Sequence, residues 1–162
     1  MKAHESDPYE GLWQGYEGEW LHVSRYLVAL AEAIPEDGYG WRPAEGCRAV
    51  SEAINHVTLA NFYLLHFAGG ALPAELDGQH MEKAVTDKEE VIGWLRRSLA
   101  AVDAARVAAT PETLGAERTI LGRAATVDGI HLRILVHANE HLGQLVAYAR
   151  SMGIVPPWSS SQ

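Results

Sequence analysis

Apolar residues recur along this chain in steps of three and four, the period of a helix, and no useful length of strand-like alternation competes. Leu12, Tyr16, Trp20, Val23, Leu27, Leu30 and Ile34 mark one face of a first helix, which Pro35 stops. Ala49, Ala53, His56, Ala60, Tyr63 and Phe67 share a stripe on a second. Val50, Ile54, Val57 and Leu64 lie beside that stripe, and Gly69, Gly70 and Pro73 close the helix. Thr86-Asp87-Lys88-Glu89 reads as a capping box, in which Thr86 and Glu89 satisfy each other's backbone donors. Ile92, Leu95, Leu99 and Val102 follow it as a buried seam. The fourth helix takes Thr126 as its N-cap and aligns Ile130, Ile134, His137, His141, Leu145, Tyr148 and Met152 on one face. Gly153 is its left-handed residue past the end. The expected helices therefore run near 9–34, 48–70, 87–108 and 126–152, each in a proline-free window.

Four amphipathic helices of this length predict an all-α four-helix bundle, a single domain over residues 1–162. The connections at 35–47, 69–85 and 109–125 are longer than antiparallel neighbours need, which predicts a crossover between parallel helices. The segment from Glu117 to Gly122 reads as extended. A chain of 162 residues, 48% hydrophobic, builds a core without staples. Its one cysteine, Cys47, excludes an internal disulfide framework and any Cys-based zinc motif. A formal charge of −8 argues against tracking a phosphate backbone. No apolar run approaches a membrane span, and the first residues contain no signal-like apolar region. The expectation is a cytoplasmic protein that meets small molecules, with no nucleic-acid or membrane partner.

Three of the eight histidines stand apart by position. His137 and His141 are four residues apart, so one imidazole lies a turn above the other on a single face. That spacing lets two rings ligate one ion from one helix. His56 lies on the apolar stripe of the second helix, where an unpaired imidazole carries a desolvation cost. Should the second and fourth helices be neighbours, a three-histidine site forms inside the bundle, with positions left open for water or substrate. The competing reading is ordinary: such pairs arise by chance, and a lone histidine on an apolar stripe is usually a core residue bonded to a carbonyl. His4, His22, His66, His80 and His131 take that ordinary reading. Gly143 predicts the close approach of a neighbouring helix or loop, and Tyr39, Trp41 and Trp158 predict covers for the bundle ends. Cys47 has no activating cluster around it in sequence.

The stretch from His137-Ala138-Asn139-Glu140-His141 through Gly143-Gln144 to Pro156-Pro157-Trp158 resembles the last helix of the DinB-like (damage-inducible) superfamily. Trp41-Arg42-Pro43, Gly46, and then Glu52 and His56 four apart resemble that family's other landmark. Ala49 departs from it, standing where members often carry Ser or Thr near the helix start. The resemblance implies an up-down-down-up bundle and a divalent metal, zinc or nickel, held by His56, His137 and His141. It also implies kinship with thiol-dependent S-transferases and isomerases that use low-molecular-weight thiols, and a homodimer.

The function expected is a metal-dependent enzyme, either a thiol S-transferase or a hydrolase, acting on a small molecule. A three-histidine divalent ion makes a nucleophile of water or thiol at neutral pH. Glu52, one turn before His56, is the candidate for orienting that imidazole or carrying a proton. Glu140 is turned away by about 100° and is weaker. Gln144 can bond a ligand or loop. The alternative is a non-catalytic metal-binding stress protein or a dimeric scaffold.

Overall fold

The computed structural model describes residues 11–159. Its elements are α1 (Gly15–Ala33), α2 (Val50–Phe67), α3 (Gly78–Ala84), α4 (Lys88–Val107), α5 (Pro111–Leu114), a hairpin of β1 (Glu117–Ile120) and β2 (Arg123–Thr126), and α6 (Val127–Ser151). The four long helices pack around one apolar cluster that includes Leu27, Leu30, Ile54, Leu95, Ile130, Ile134 and Leu145.

Polar contacts at the two ends fix the helix directions. Lys88, at the start of α4, donates to the carbonyls of Glu32 and Ile34 at the end of α1, both at 2.7 Å. The Tyr39 hydroxyl donates to the Ala31 carbonyl at 2.7 Å, and the Tyr39 carbonyl accepts the Ser51 N–H at 3.0 Å. Both α2 and α4 thus begin where α1 ends. At the opposite end Arg106 of α4 pairs with Glu17 of α1 and Asp128 of α6. The arrangement is up-down-down-up, with α2 and α4 parallel and the long segment between them crossing the bundle.

That crossover contains α3, where the residue pattern predicts only a connection. Its seven residues are too few to form a helix unaided. Asn55, wholly buried in α2, docks it, donating to the carbonyls of Val85 at 2.8 Å and of Met81 and Glu82 at 3.3 Å. A neighbouring pair, Asn61 to Ser98 at 3.1 Å, links α2 to α4. These bonds explain why the burial of α2 departs from the expected stripe. Ser51, Asn55, Thr58 and Asn61 are buried while Tyr63 is 37% exposed, because α2 is covered by α3, α4 and α6 around most of its circumference.

Other boundaries moved for local reasons. The first helix begins at Gly15, because Gly11, Trp13 and Gly15 all adopt positive φ and turn the chain back on itself. The Gly11 carbonyl then seats against Gly18, where a Cβ would lie 1.6 Å from its oxygen. Leu12 sits in that turn rather than on a helix face. Residues 9 and 10 of the expected helix, His4 and the tail beyond 159 lie outside the described residues. The third helix is capped by Asp87, whose carboxylate accepts the Glu90 N–H at 2.9 Å, in place of Thr86. Asp ranks above Thr as an N-cap, and its negative charge is favourable at a helix N-terminus. The extended segment at 117–122 is real and forms half of a hairpin. Its turn residues Leu121 and Gly122 both have positive φ, the geometry of a two-residue turn matched to strand twist. Thr126 caps α6 by accepting the Gly129 N–H, and Gly153 takes φ +78 beyond its end, as expected. Among the described residues no helix is long and apolar enough to cross a membrane.

Gly143 differs from its expectation. It is exposed, and nothing among the described residues lies within 4 Å of where its Cβ would be. With helical φ and open space, Gly143→Ala should raise stability by about 0.5–1 kcal/mol, through helix propensity and a less flexible unfolded chain. Urea unfolding measures this. A loss of stability would mean that the position is covered after all.

Candidate metal centre

His56 on α2 and His137 and His141 on α6 meet between the two helices. One ring nitrogen from each lies within 4.8 Å of the others. The Nε2 atoms of His56 and His137 are 3.2 Å apart. Two ligands on one tetrahedral ion at zinc–nitrogen distances stand about 3.3–3.4 Å apart, so the pair is already at the separation that shared ligation needs. The ring centroids are 4.5–5.0 Å from each other at steep interplanar angles, which points the nitrogens inward instead of stacking the faces.

Two of the rings are held from behind. His56 Nδ1–H donates to Glu82 Oε2 at 3.0 Å, while Glu82 Oε1 accepts Arg48 Nε at 2.7 Å. His141 Nδ1–H donates to Gln144 Oε1 at 2.7 Å, and Gln144 Nε2 donates to the Tyr148 hydroxyl at 2.8 Å. With Nδ1 engaged as donor, Nε2 in each neutral ring carries the lone pair that a metal requires. His137 Nδ1 is enclosed and has no hydrogen-bond partner among the described residues.

Electrostatics favours the neutral, ligating form. Burial, and after it the neighbouring His141 and His56, lower the His137 pKa to about 4. His141 is lowered too, chiefly by burial, with the Gln144 bond working the other way. Burial alone would raise the Glu82 carboxyl. Arg48 and His56 more than reverse this, so it stays ionised well into the acid range.

The depressed histidines carry a pH dependence. An unfolded histidine binds its proton near 6.5, whereas folded His137 refuses one until about 4. Unfolded chains therefore hold more protons across that interval, and the metal-free protein should lose stability as pH falls from about 6.5 toward 4. Urea midpoints at pH 7 and 5 test the sign, and a higher midpoint at pH 5 refutes it.

Glu82 was not foreseen. It belongs to α3, which the apolar period does not mark, and its one signal in the sequence is an acidic residue in a connection. Glu52, the expected partner of His56, is engaged elsewhere: its Oε2 accepts the Ala49 N–H at 2.9 Å and its Oε1 accepts Arg42 at 3.2 Å. The first bond is the half of a capping box that satisfies the N-cap N–H; the other half needs a side-chain acceptor that Ala49 lacks. Glu82 and Gln144, which hold two of the imidazoles, also wall a polar depression of about 510 Å³ together with Glu52, Arg42, Arg48 and Tyr148. Cys47 also borders it. Glu140 faces away and pairs with Arg133.

The remaining singled-out residues are structural. Tyr39 is buried, Trp41 packs edge-on against Tyr148, and Trp158 stacks on Tyr26 with centroids 3.9 Å apart, all covering one end of the bundle. His22 lies against Tyr26, His66 bonds the Gly70 carbonyl at 2.9 Å, and His80 is exposed.

No curated protein matches the chain. A crystallised DinB-like protein of Bacillus cereus superposes with a TM-score of 0.75 at 18% identity, covering 92% of this chain and 97% of its own. A DinB-like protein of Bacillus subtilis gives 0.65 at 22% identity, covering 86% and 92%. Both share the fold. The sequence profile of the DinB superfamily matches residues 19–145, most of the bundle and all three histidines, and the chain belongs to that superfamily.

Proposed function

We propose that the protein is a divalent-metal-dependent enzyme, a thiol-dependent S-transferase or a hydrolase, with His56, His137 and His141 as metal ligands and zinc or nickel as the ion. The observation that carries this reading is the convergence of three imidazoles, two of them held by Glu82 and Gln144, which also line an open polar depression. A closed structural site would fill its fourth position with protein, whereas a set of three protein ligands leaves it for water or substrate. A divalent ion held there supplies Lewis-acid activation of a water or thiol nucleophile at neutral pH.

The chain's own residues have separable tasks in this reading. Glu82 and Gln144 fix the tautomer and angle of His56 and His141. Arg42, Arg48 and Lys83 outnumber Glu52 and Glu82 around the depression and give it a positive bias in an acidic protein. With His56 oriented by Glu82, proton transfer at the depression is the role left for Glu52. Glu52→Gln should then lower turnover about 10²-fold or more with metal affinity unchanged, and unaltered turnover would reduce it to a helix cap. The substrate is a small molecule, the protein is a cytoplasmic homodimer, and a low-molecular-weight thiol serves as cosubstrate in the transferase version.

Elemental analysis of protein purified without a histidine tag, paired with thermal shifts and turnover assays against candidate thiols and esters, tests the proposal. A full equivalent of metal with no turnover across that panel would favour a non-catalytic metal-binding protein. Absence of metal from protein that takes none up on addition would end the reading.

A further inference from the structure

The helix α3 stands between the histidine cluster and the polar depression, and little apolar packing fastens it there. Met81 is the one buried side chain among its described residues, and it lies outside the apolar cluster that unites the long helices. Two polar ties hold it. Asn55 of α2 donates to the carbonyls of Met81, Glu82 and Val85. Glu82 in turn accepts His56 Nδ1–H at 3.0 Å and Arg48 Nε at 2.7 Å. Of these contacts only the one to His56 involves a residue of the metal centre.

An imidazole that ligates through Nε2 must keep its hydrogen on Nδ1, where Glu82 accepts it. A metal-free neutral ring is under no such constraint. When α3 lifts away, that ring can carry its hydrogen on Nε2 instead, 3.2 Å from His137 Nε2. A ligated ring cannot make this exchange, and lifting α3 strands its Nδ1–H without the carboxylate. Undocking therefore costs more with the metal in place than without it. Linkage makes the two effects equal: the factor by which docked Glu82 strengthens metal binding is the factor by which metal strengthens docking. Groups behind metal ligands are worth about 10–100-fold in affinity, so the metal suppresses opening of α3 by about the same factor.

We infer that α3 is a metal-controlled flap: ligation at His56 locks it against α2, and loss of the metal lets it open. Glu82 and Lys83 are the α3 part of the wall of the polar depression, so the depression is complete only while the flap is docked. A ligand that contacts this wall binds the metal-loaded protein in preference to the metal-free one. The inference rests on His56 as a metal ligand, as proposed above, and adds to that site the element that regulates it.

The test is native-state hydrogen exchange of the full-length protein, read by mass spectrometry with and without zinc, with zinc uptake followed by calorimetry. Peptides spanning residues 78–85 should exchange about 10–100-fold more slowly once one equivalent of zinc is bound. The β1–β2 hairpin is the internal reference, because Arg118 ties it to the Ala68 carbonyl at the far end of α2. Its exchange should change by less than about threefold, as expected of a segment that opens locally. Glu82→Gln, at zinc concentrations that saturate the variant, should lose most of the slowing in α3 while keeping the wild-type helix content. One equivalent of bound zinc with α3 exchange unchanged would overturn the flap and leave the proposed ligands standing. So would equal slowing of α3 and the hairpin, or full slowing in Glu82→Gln. No zinc uptake at all would overturn the flap together with the metal-dependent reading.

Discussion

Replacing any one of His56, His137 and His141 by alanine is expected to lower metal affinity by more than about 100-fold while leaving the bundle folded. Changes to residues behind metal ligands already cost 10–100-fold, and removing a ligand exceeds that. The fold does not depend on these rings, because all three are only partly buried, whereas Leu27, Ile54, Leu95, Ile134 and Leu145 fill the core. For His137 the metal-free protein gains something from the change, since that imidazole is held neutral against its own solvation and the enclosed Nδ1 has no partner. Unfolding free energies within about 1 kcal/mol of the wild type are therefore expected without metal. The measurement is metal stoichiometry by elemental analysis beside circular dichroism for the three variants. If each retains a full equivalent, the ligands lie elsewhere and these are core histidines.

Glu82→Gln should lower metal affinity about 10–100-fold with little effect on helix content. The amide keeps an acceptor for His56 Nδ1–H but surrenders the negative charge that raises the basicity of the ring and pairs with Arg48. Glu82→Ala should cost more, because Arg48 and His56 both lose their partner in a partly buried setting. Asn55→Ala provides a separate readout. It removes the donor that docks the carbonyl end of α3 and should weaken the metal through Glu82 without touching a ligand. Competition with a chromophoric chelator measures all three. Unchanged affinity in Glu82→Gln would make Glu82 a surface ion-pair partner and nothing more.

The four long helices, their order and the three histidines follow from residue patterns alone. Period and proline placement are local properties, and they set three of the four long helices to within three residues at either end. His137 and His141 share a face because the helix repeat puts them there, whatever the rest of the chain does. Local chemistry likewise identified Thr126 as a cap and Gly153 as a left-handed residue.

What escaped the sequence depends on contacts between distant segments. The start of α1 moved because Gly11 folds onto Gly18, a backbone approach that periodicity does not register. The helix α3 exists because Asn55, about thirty residues away, satisfies its terminal carbonyls. Its register, not its composition, delivers Glu82 to His56, while Glu52, nearer in sequence and on nearly the same face, spends its carboxylate on the bare N–H of Ala49 and on Arg42. Residue type and helical period determined which imidazoles could meet. Only the packing of α2 against α6 brought them within reach of one another, and only a crossover too short to be helical on its own determined which carboxylate stands behind them, because a hydrogen bond across the bundle depends on where whole elements come to rest.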